Sequence, residues 1–538
     1  MNGLMMDYQL TLPAILRRAE TYFWWREVTT QLPDFTYHRY TYADFARRAK
    51  KLAVALGELG VESGDRVATL AWNHHRHFEA FFGIPASGGV LHALNMRLRP
   101  DDLAYIVEHA QDKIVIVDED FLPLLDRVRE RVDVERVIVI SRDGSVPEGM
   151  LDYEELLESA DEERFEYPDF DEGQAAALCY TSGTTGRPKG VLYSHRSLVL
   201  QAMTWTMADT AGIRQSDVIY PIVPMFHINN WCQPFVAAMV GARFLFAKPH
   251  FDAARLLKTI EEEKVTLSGG VPTVWLSILQ ELERNPGQYD LSGLRGVIVA
   301  GAAAPKGMIK RLKEDYGVEV IHMWGLTETA PLATVAAVPA DMQDAPADEK
   351  YALLSRQGYP IPFIEMRLRG AEGFAPWDGE TMGELELRGP WVASAYYENP
   401  EAADRFTEDG WFRTGDVMTI DERGCLELQD RTKDLVKSGG EWISSVALEN
   451  ALMGHPAVAE AAVIAVPHPK WQERPLGIVV LKEGQSATPE ELIDFIRPEF
   501  PKWWLPDAIE FVDEIPRTPA GKFLKRALRE RFKDYQLA

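Results

Sequence analysis

The spacing of apolar residues along the chain predicts alternating helices and strands. Between residues 42 and 59, apolar side chains recur at intervals of three and four, as on one face of an amphipathic helix. A short apolar run at 66–71 predicts a strand, and the alternation continues with helices at 101–109 and 251–263 and strands at 114–117, 137–140, 296–300 and 318–322. Because continuous Val/Ile runs are typical of parallel strands covered on both faces, the pattern predicts an α/β fold built on parallel sheets.

The pattern changes after about residue 357. Apolar and polar residues alternate at 364–369 and 383–387, which is typical of half-exposed antiparallel strands and predicts a small β subdomain over about 357–429. A charged, glycine-bearing stretch at 430–440 separates it from a last unit of mixed α+β character. We therefore predict a large N-terminal domain at 1–431 and a small C-terminal domain at 432–538, with a hinge near Lys433.

Composition narrows the possible partners and the compartment. The 82 acidic residues exceed the 57 Lys and Arg, and the net charge of −25 disfavours binding to nucleic acid or to an anionic membrane surface. Three cysteines lie far apart with no metal-binding spacing, which indicates a reducing compartment. The longest apolar stretch, 80–91, is interrupted by Pro85 and is too short to span a bilayer. We expect a soluble, cytoplasmic protein with no integral membrane association.

The segment 180–190 has the composition of a phosphate-binding loop. Three glycines, four Ser/Thr hydroxyls and one lysine supply inward-facing N–H groups, hydroxyl donors and a cation. The candidate phosphate ligands are Thr181, Ser182, Gly183, Thr184, Thr185, Gly186 and Lys189. A flexible Ser/Thr/Gly linker is the alternative, although apolar residues on both sides predict buried strands. A Walker P-loop is excluded, because glycine follows Lys189 where that motif needs Ser or Thr.

Four further segments complete a recognisable set of motifs. They are Trp-Gly-Leu-Thr-Glu-Thr at 324–329, Trp-Phe-Arg-Thr-Gly-Asp at 411–416, the charged stretch at 430–440 and Pro-Arg-Thr-Pro-Ala-Gly-Lys at 516–522. Together with 180–190, and in this order, they resemble the signatures of the adenylate-forming superfamily of acyl-CoA synthetases, luciferases and nonribosomal-peptide adenylation domains. The resemblance implies that a carboxylic acid and ATP give acyl-AMP and pyrophosphate, and that CoA then gives acyl-CoA and AMP. It also implies a mobile C-terminal domain that rotates between these half-reactions.

The resemblance assigns nucleotide and metal roles to individual residues. Thr327 is assigned to the α-phosphate, and Glu328 with Thr184 to Mg²⁺, which hard oxygen ligands suit. Asp416 is assigned to the ribose hydroxyls. The other expected nucleotide contacts are Gly301, Ala302, Ala303, His322, Met323, Trp324, Gly325 and Arg431. From the residues alone, a helix N-cap at 327, an ordinary turn at 416 and helix-start packing at 301 remain open.

The C-terminal motifs are assigned to catalysis and to thioester formation. A flexible ammonium such as Lys522 can bridge the attacking carboxylate and the α-phosphate as charge builds up. A solvated lysine in a basic tail is the alternative. Lys433 occupies the hinge position of the resemblance. The residues expected to line the thioester site are Lys437, Gly439, Gly440, Glu441 and Trp442.

The acid itself is expected to contact His227, Trp231, Gly269 and Gly325. His227 would meet the carboxylate or control entry of the thiol, and Trp231 would gate the pocket; a core His and a core Trp are the alternatives. Segments 222–224, 269–272 and 331–332 supply no charge for a polar tail, so an apolar acyl chain is favoured. Segments 226–232 and 437–445 most resemble medium- and long-chain fatty-acyl-CoA synthetases. A short acid such as methylthiopropionate, or an aryl acid, is the alternative.

Other functional classes remain open at this point. A stand-alone adenylation enzyme that loads a carrier protein, and a luciferase-type oxygenase, share the motifs. A nucleotide-binding regulatory protein that has lost catalysis is disfavoured, because Lys189, Glu328, Asp416 and Lys522 are all present. The expected partners are therefore a small carboxylic acid, ATP, Mg²⁺ and CoA. Homodimerisation is expected from the resemblance only.

Overall fold

The protein is described from a computed structural model. The described residues are 1, 3–181, 187–246, 252–370, 373–432, 434–438, 441–517, 523–533 and 535, with Glu441 described in its backbone only. The N-terminal strands are β1 Glu27–Gln31, β2 Tyr37–Thr41, β3 Arg66–Leu70, β4 Val90–Ala93, β5 Asp112–Asp118, β6 Arg136–Ile140, β7 Leu151–Asp152, β8 Ala175–Tyr180, β9 Gly190–Ser194, β10 Val218–Pro221, β11 Arg243–Phe246, β12 Leu267–Gly270, β13 Gly296–Val299, β14 Glu319–Gly325, β15 Leu332–Val335 and β16 Tyr359–Pro360.

Helices alternate with these strands, as the sequence predicts. They are α1 Leu12–Tyr22, α2 Tyr42–Glu58, α3 His75–Ala86, α4 Pro100–Ala110, α5 Leu122–Arg129, α6 Tyr153–Ser159, α7 His195–Thr204, α8 Ile228–Trp231, α9 Gln233–Val240, α10 Ala253–Glu262, α11 Pro272–Arg284, α12 Lys306–Tyr316 and α13 Ala347–Ser355. The helix predicted at 42–59 starts with a capping box in which Thr41 and Asp44 satisfy each other's backbone N–H. Its apolar face packs on α3, where the Phe45 and Phe78 rings stack 4.2 Å apart.

Two largely parallel sheets form the N-terminal part. One has the order β7-β6-β5-β3-β4-β8-β9 and is parallel except for the antiparallel pair β8–β9. The other has the order β16-β15-β14-β13-β12-β10-β11-β1-β2; it is parallel from β14 to β1 and antiparallel at both edges. The predicted α/β fold with parallel sheets is therefore confirmed. The carboxyl ends of β13 and β14 lie side by side, where α/β proteins bind ligands.

The remaining chain forms an antiparallel β unit and a mixed α+β unit. Strands β17 Glu365–Gly370, β18 Gly373–Phe374, β19 Gly383–Arg388, β20 Phe412–Ile420 and β21 Leu426–Arg431 make the predicted β subdomain. The last part contains β22 Val436–Ser438, β23 Glu441–Ile443, α14 Ser445–Met453, β24 Val458–His468, β25 Gln472–Leu481, α15 Pro489–Ile496, β26 Ala508–Phe511 and α16 Lys525–Arg531. Its α+β character is as predicted. Among the described residues, no helix is both long and apolar enough to cross a membrane.

Candidate active site

A cleft of about 490 Å³ lies where the large domain, the β subdomain and the C-terminal part meet. It collects predicted site residues that are as far apart in sequence as 181 and 431. Those that line it are Thr181, Lys189, His227, Trp231, Gly301, Ala302, Ala303, His322, Met323, Trp324, Gly325, Thr327, Glu328, Asp416 and Arg431. Residues from four of the five sequence motifs, 180–190, 324–329, 411–416 and 430–440, therefore line one cleft.

The ends of the glycine-rich loop are held by the β8–β9 hairpin. The backbone N–H of Thr181 donates to the Lys189 carbonyl oxygen at 2.9 Å, and the N–H of Lys189 donates to Thr181 Oγ1 at 3.1 Å. These bonds close the base of the loop and place Lys189 at the edge of the cleft. The predicted ligands Ser182, Gly183, Thr184, Thr185 and Gly186 lie outside the described residues.

Thr327 and Glu328 lie on a short 3₁₀ turn, Thr327–Thr329, directly after β14. Thr327 is the first residue of this turn rather than its N-cap, so the helix-cap alternative for Thr327 is wrong. The Tyr193 hydroxyl donates to the Thr327 carbonyl oxygen at 2.6 Å, and the Ala393 N–H donates to the Glu328 carbonyl oxygen at 2.8 Å. The backbone of both residues is thus fixed from two other elements.

Tyr396 links the predicted metal ligand to the predicted phosphate ligand, and sequence reasoning missed it. Its hydroxyl donates to Glu328 Oε1 at 2.5 Å, and Lys189 Nζ lies 5.0 Å from the centroid of its ring. Burial raises the pKa of Tyr396, so the hydroxyl keeps its proton and remains a donor. The residue is about 200 positions from Lys189 and belongs to no recognisable local motif.

We expect Tyr396→Phe to lower the rate of acyl-adenylate formation by about 10- to 150-fold, because a hydrogen bond to a charged group contributes about 1.5–3 kcal/mol. The phenylalanine ring still faces Lys189, so only the orientation of Glu328 is disturbed. Acid-dependent ATP–pyrophosphate exchange measures the effect. Tyr397→Phe is the matched control, because Tyr397 is outside the cleft lining. An unchanged exchange rate in Tyr396→Phe would refute the positioning role.

The predicted nucleotide side of the cleft contains an ion pair between a buried carboxylate and a partly exposed guanidinium. Asp416 on β20 is 3% exposed, and its Oδ1 lies 3.2 Å from Arg431 Nε on the neighbouring strand β21. The charge of Asp416 raises the pKa of Arg431.

Two further residues of this side have distinct local properties. Gly301 has a φ of +86°, a conformation that glycine adopts without strain. Burial lowers the pKa of His322 to about 4, so this imidazole is neutral.

The predicted acyl side of the cleft is apolar and has an unusual backbone. Residues 228–232, which include α8, all have positive φ between 47° and 66° although none is glycine. Each left-handed residue of this kind costs roughly 1–2 kcal/mol, so the surrounding core must stabilise the turn. The turn follows His227 and holds Trp231 buried in the wall. Gly269 is not among the lining residues; it lies behind them against Gln233.

Two of the predicted thioester residues, Lys437 and Trp442, are not part of this cleft. Lys437 and Trp442 lie on the β22–β23 hairpin and are not among its lining residues, and Glu441 is on the same hairpin. Lys433, Gly439, Gly440 and Lys522 are outside the described residues. The segment that follows Lys522 does line the cleft, through Phe523, Leu524 and Lys525.

The donor set is compatible with Mg²⁺ held jointly with substrate. Among the described residues, no group of three or more His, Cys, Asp or Glu side chains could hold a metal ion. Glu328 supplies one buried carboxylate at the edge of the cleft. Mg²⁺ typically binds one or two carboxylates together with substrate phosphates, so Glu328 fits this role.

Comparison with known proteins agrees with the geometry. Residues 21–397 match the AMP-binding enzyme family, and residues 447–522 match the AMP-binding enzyme C-terminal domain. A long-chain-fatty-acid–CoA ligase of Thermus thermophilus is 48% identical, covering 99% of this chain and 97% of that protein. A 3-methylmercaptopropionyl-CoA ligase of Ruegeria lacuscaerulensis is 41% identical, covering 99% of each.

A solved structure has the same overall arrangement. The crystal structure of an anthranilate CoA ligase in complex with anthranoyl-AMP superposes with a TM-score of 0.87 at 27% identity and covers 99% of both chains. The sequence motifs, the cleft that collects them and the match over most of the chain lead to one assignment. The chain belongs to the AMP-binding enzyme family of adenylate-forming enzymes.

Proposed function

We propose that this chain is an AMP-forming acyl-CoA ligase that activates fatty acids. The observation that carries the proposal is the single cleft in which Lys189, Glu328 and Asp416 meet an apolar wall. A nucleotide with its phosphates and an apolar acid can occupy neighbouring parts of that cleft. The matched family and the two CoA ligases at 41–48% identity support the same reaction.

In the first half-reaction, a carboxylate oxygen attacks the α-phosphorus of ATP and pyrophosphate leaves. Two anions must approach each other, so the protein's task is positioning and charge neutralisation. Thr327 is proposed to contact the α-phosphate, Lys189 the departing phosphates and Asp416 the ribose hydroxyls. Mg²⁺ bound to Glu328 would neutralise phosphate charge. Lys522 is proposed to bridge carboxylate and α-phosphate, a role that rests on the sequence motif.

In the second half-reaction, the thiol of CoA attacks the acyl carbonyl carbon and AMP leaves. Lys437 and Trp442 lie away from the cleft. Their proposed thioester role therefore needs the C-terminal part to rotate about the hinge at Lys433 before CoA attacks. The proposed domains are accordingly 1–431 and 432–538.

The walls favour an apolar acyl chain. Trp205, Phe226, Ile228, Trp231 and Leu332 line the part of the cleft beside His227, and none of them is charged. An apolar pocket discriminates against a charged tail, because a charge there would lose its hydration without gaining a partner. We propose medium- and long-chain fatty acids as the preferred substrates. Short thioether acids are the second candidate, favoured by the similarity to the Ruegeria ligase.

A cytoplasmic location and a homodimer belong to the same proposal. The three cysteines are buried and form no disulfide, which suits a reducing compartment. The homodimer rests on the resemblance only, and sedimentation velocity at micromolar protein concentration tests it.

We expect CoA-dependent AMP release to be fastest with saturated acids of intermediate or long chain. The measurement compares kcat/KM for acids from C2 to C18, 3-methylthiopropionate and benzoate, with free CoA as acceptor. Omission of CoA is the control, because the reaction should then stop at acyl-AMP and release pyrophosphate but no AMP. Release that is fastest with 3-methylthiopropionate would favour the second candidate. No release with any acid would refute the ligase proposal.

A further inference from the structure

A buried polar cluster connects β21 with two C-terminal helices, α14 and α16. Its centre is Asp430, which is 1% exposed. Asp430 Oδ2 accepts hydrogen bonds from the backbone N–H of Ser445 at 3.0 Å and from its hydroxyl at 2.5 Å. Asp430 Oδ1 accepts from the N–H of Arg431 at 2.7 Å. Both carboxylate oxygens are therefore engaged, and one of them binds the first turn of α14.

Lys525 extends the cluster from α16. Its ammonium donates to Ser445 Oγ at 2.5 Å and lies 2.6 Å from Glu449 Oε1. Glu449 in turn accepts from the N–H of Val463 at 2.7 Å. The order of contacts is Asp430, Ser445, Lys525, Glu449. Breaking one member of such a buried network leaves its neighbours without partners, which costs more than the loss of an exposed ion pair.

The cluster connects the two sides of the proposed hinge. Asp430 lies before the proposed hinge at Lys433, whereas Ser445, Glu449 and Lys525 follow it. The contacts from Asp430 thus cross from the β subdomain to the C-terminal part. Asp430, Glu449 and Lys525 also line the nucleotide cleft. Lys525 is only three residues after Lys522, so the same contacts tie down the segment that carries the proposed catalytic lysine.

We propose that Asp430 is a positioning residue for adenylation. Through Ser445 and Lys525, it holds the C-terminal part in the orientation in which residues 523–525 face the nucleotide cleft. Thioester formation needs another orientation and therefore does not depend on these contacts. The inference rests on the proposed two-step reaction and adds a residue that determines which step the protein is set to perform.

Asp430→Asn tests this inference with little change in shape. The amide still accepts from the Arg431 N–H, but it presents an uncharged group to Ser445 and Lys525. We expect acid-dependent ATP–pyrophosphate exchange to fall roughly 5- to 150-fold, the usual range for energetic coupling between two sites. Thioester formation from supplied acyl-AMP and CoA should stay within about twofold of wild type. Ser445→Ala, which removes only the bridging hydroxyl, should change the ratio of the two rates in the same direction.

Asp494→Asn is the matched control. Asp494 forms an ion pair with Arg497 at 2.6 Å at the end of α15 in the C-terminal part, and neither residue lines the cleft. The same chemical change there should leave the ratio of the two half-reactions unchanged. Melting temperatures of all variants separate loss of folded protein from loss of one rate.

The outcomes distinguish this inference from the proposed function. A wild-type chain that releases no AMP with any acid refutes the proposed function itself. If the wild type is active and Asp430→Asn lowers both half-reactions equally, or neither, the positioning role is overturned. If Asp430→Asn does not fold, Ser445→Ala decides: an unchanged ratio in that variant also overturns the role.

Discussion

Replacing Glu328 with glutamine is expected to lower acid-dependent pyrophosphate release by about 100- to 1,000-fold, the usual effect of removing one group that stabilises transition-state charge. Glutamine preserves the size of the side chain, and its Oε1 can still accept from the Tyr396 hydroxyl. The turn should remain in place, because the Ala393 N–H binds the backbone oxygen at 328 rather than the side chain. The expected loss is therefore due to the missing negative charge. Single-turnover measurement of pyrophosphate release with saturating ATP determines it.

Two controls make the Glu328 result specific. Glu365→Gln removes an exposed ion pair with Arg388 in the β subdomain and should leave the rate unchanged. If Glu328 holds Mg²⁺, a higher Mg²⁺ concentration should recover part of the lost rate in Glu328→Gln. It should have little effect on the rate of Glu365→Gln. A Glu328→Gln variant with the wild-type rate and the wild-type Mg²⁺ dependence would contradict the proposed role.

The sequence predicted those parts of the molecule in which the signal is local. The helix expected at 42–59 is α2, Tyr42–Glu58, because its apolar spacing and its capping residues agree. The strands expected at 296–300 and 318–322 are β13 and β14, and the site lies at their carboxyl ends. Glycines and single charged residues at strand ends are recognisable in sequence, since they interrupt an apolar run. This is why most motif residues could be found without the structure.

Contacts between distant segments could not be predicted in this way. Tyr396 has no local motif, and its hydrogen bond to Glu328 exists only because the segment after β19 folds across the β14 turn. The left-handed turn at 228–232 contains two asparagines, which tolerate this conformation, but Ile228, Trp231 and Cys232 do not favour it, so the surrounding core imposes the turn. The cluster around Asp430 likewise joins residues up to 95 positions apart. The prediction of a hinge at 430–440 did not indicate these contacts.

Replacing Gly325 with alanine is expected to lower acyl-adenylate formation at least 100-fold, since a displacement of about 1 Å near reacting groups can cost that much. An added Cβ would lie 1.8 Å from the carbonyl oxygen of Pro331 and 2.8 Å from its carbonyl carbon. Those atoms are backbone atoms, and the Leu326 N–H donates to the same oxygen at 3.1 Å. Relief of the clash would therefore require the backbone of the turn to shift as a whole. Thr327 and Glu328 would have to move with it. ATP–pyrophosphate exchange and the melting temperature are measured together.

Gly307→Ala separates this effect from the general consequence of adding a methyl group. Gly307 lies in α12, and an added Cβ there has no heavy atom within 4 Å. Alanine at such a position usually stabilises a protein by about 0.4–1 kcal/mol, so activity should be retained and the melting temperature should rise slightly. In Gly325→Ala, activity should fall by a much larger factor than the fraction of folded protein at the assay temperature, because the clash acts on the turn that carries Thr327 and Glu328. Full activity in Gly325→Ala would mean that the position of this turn does not limit adenylation, and the assignment of Thr327 and Glu328 to the reacting phosphate would then be wrong.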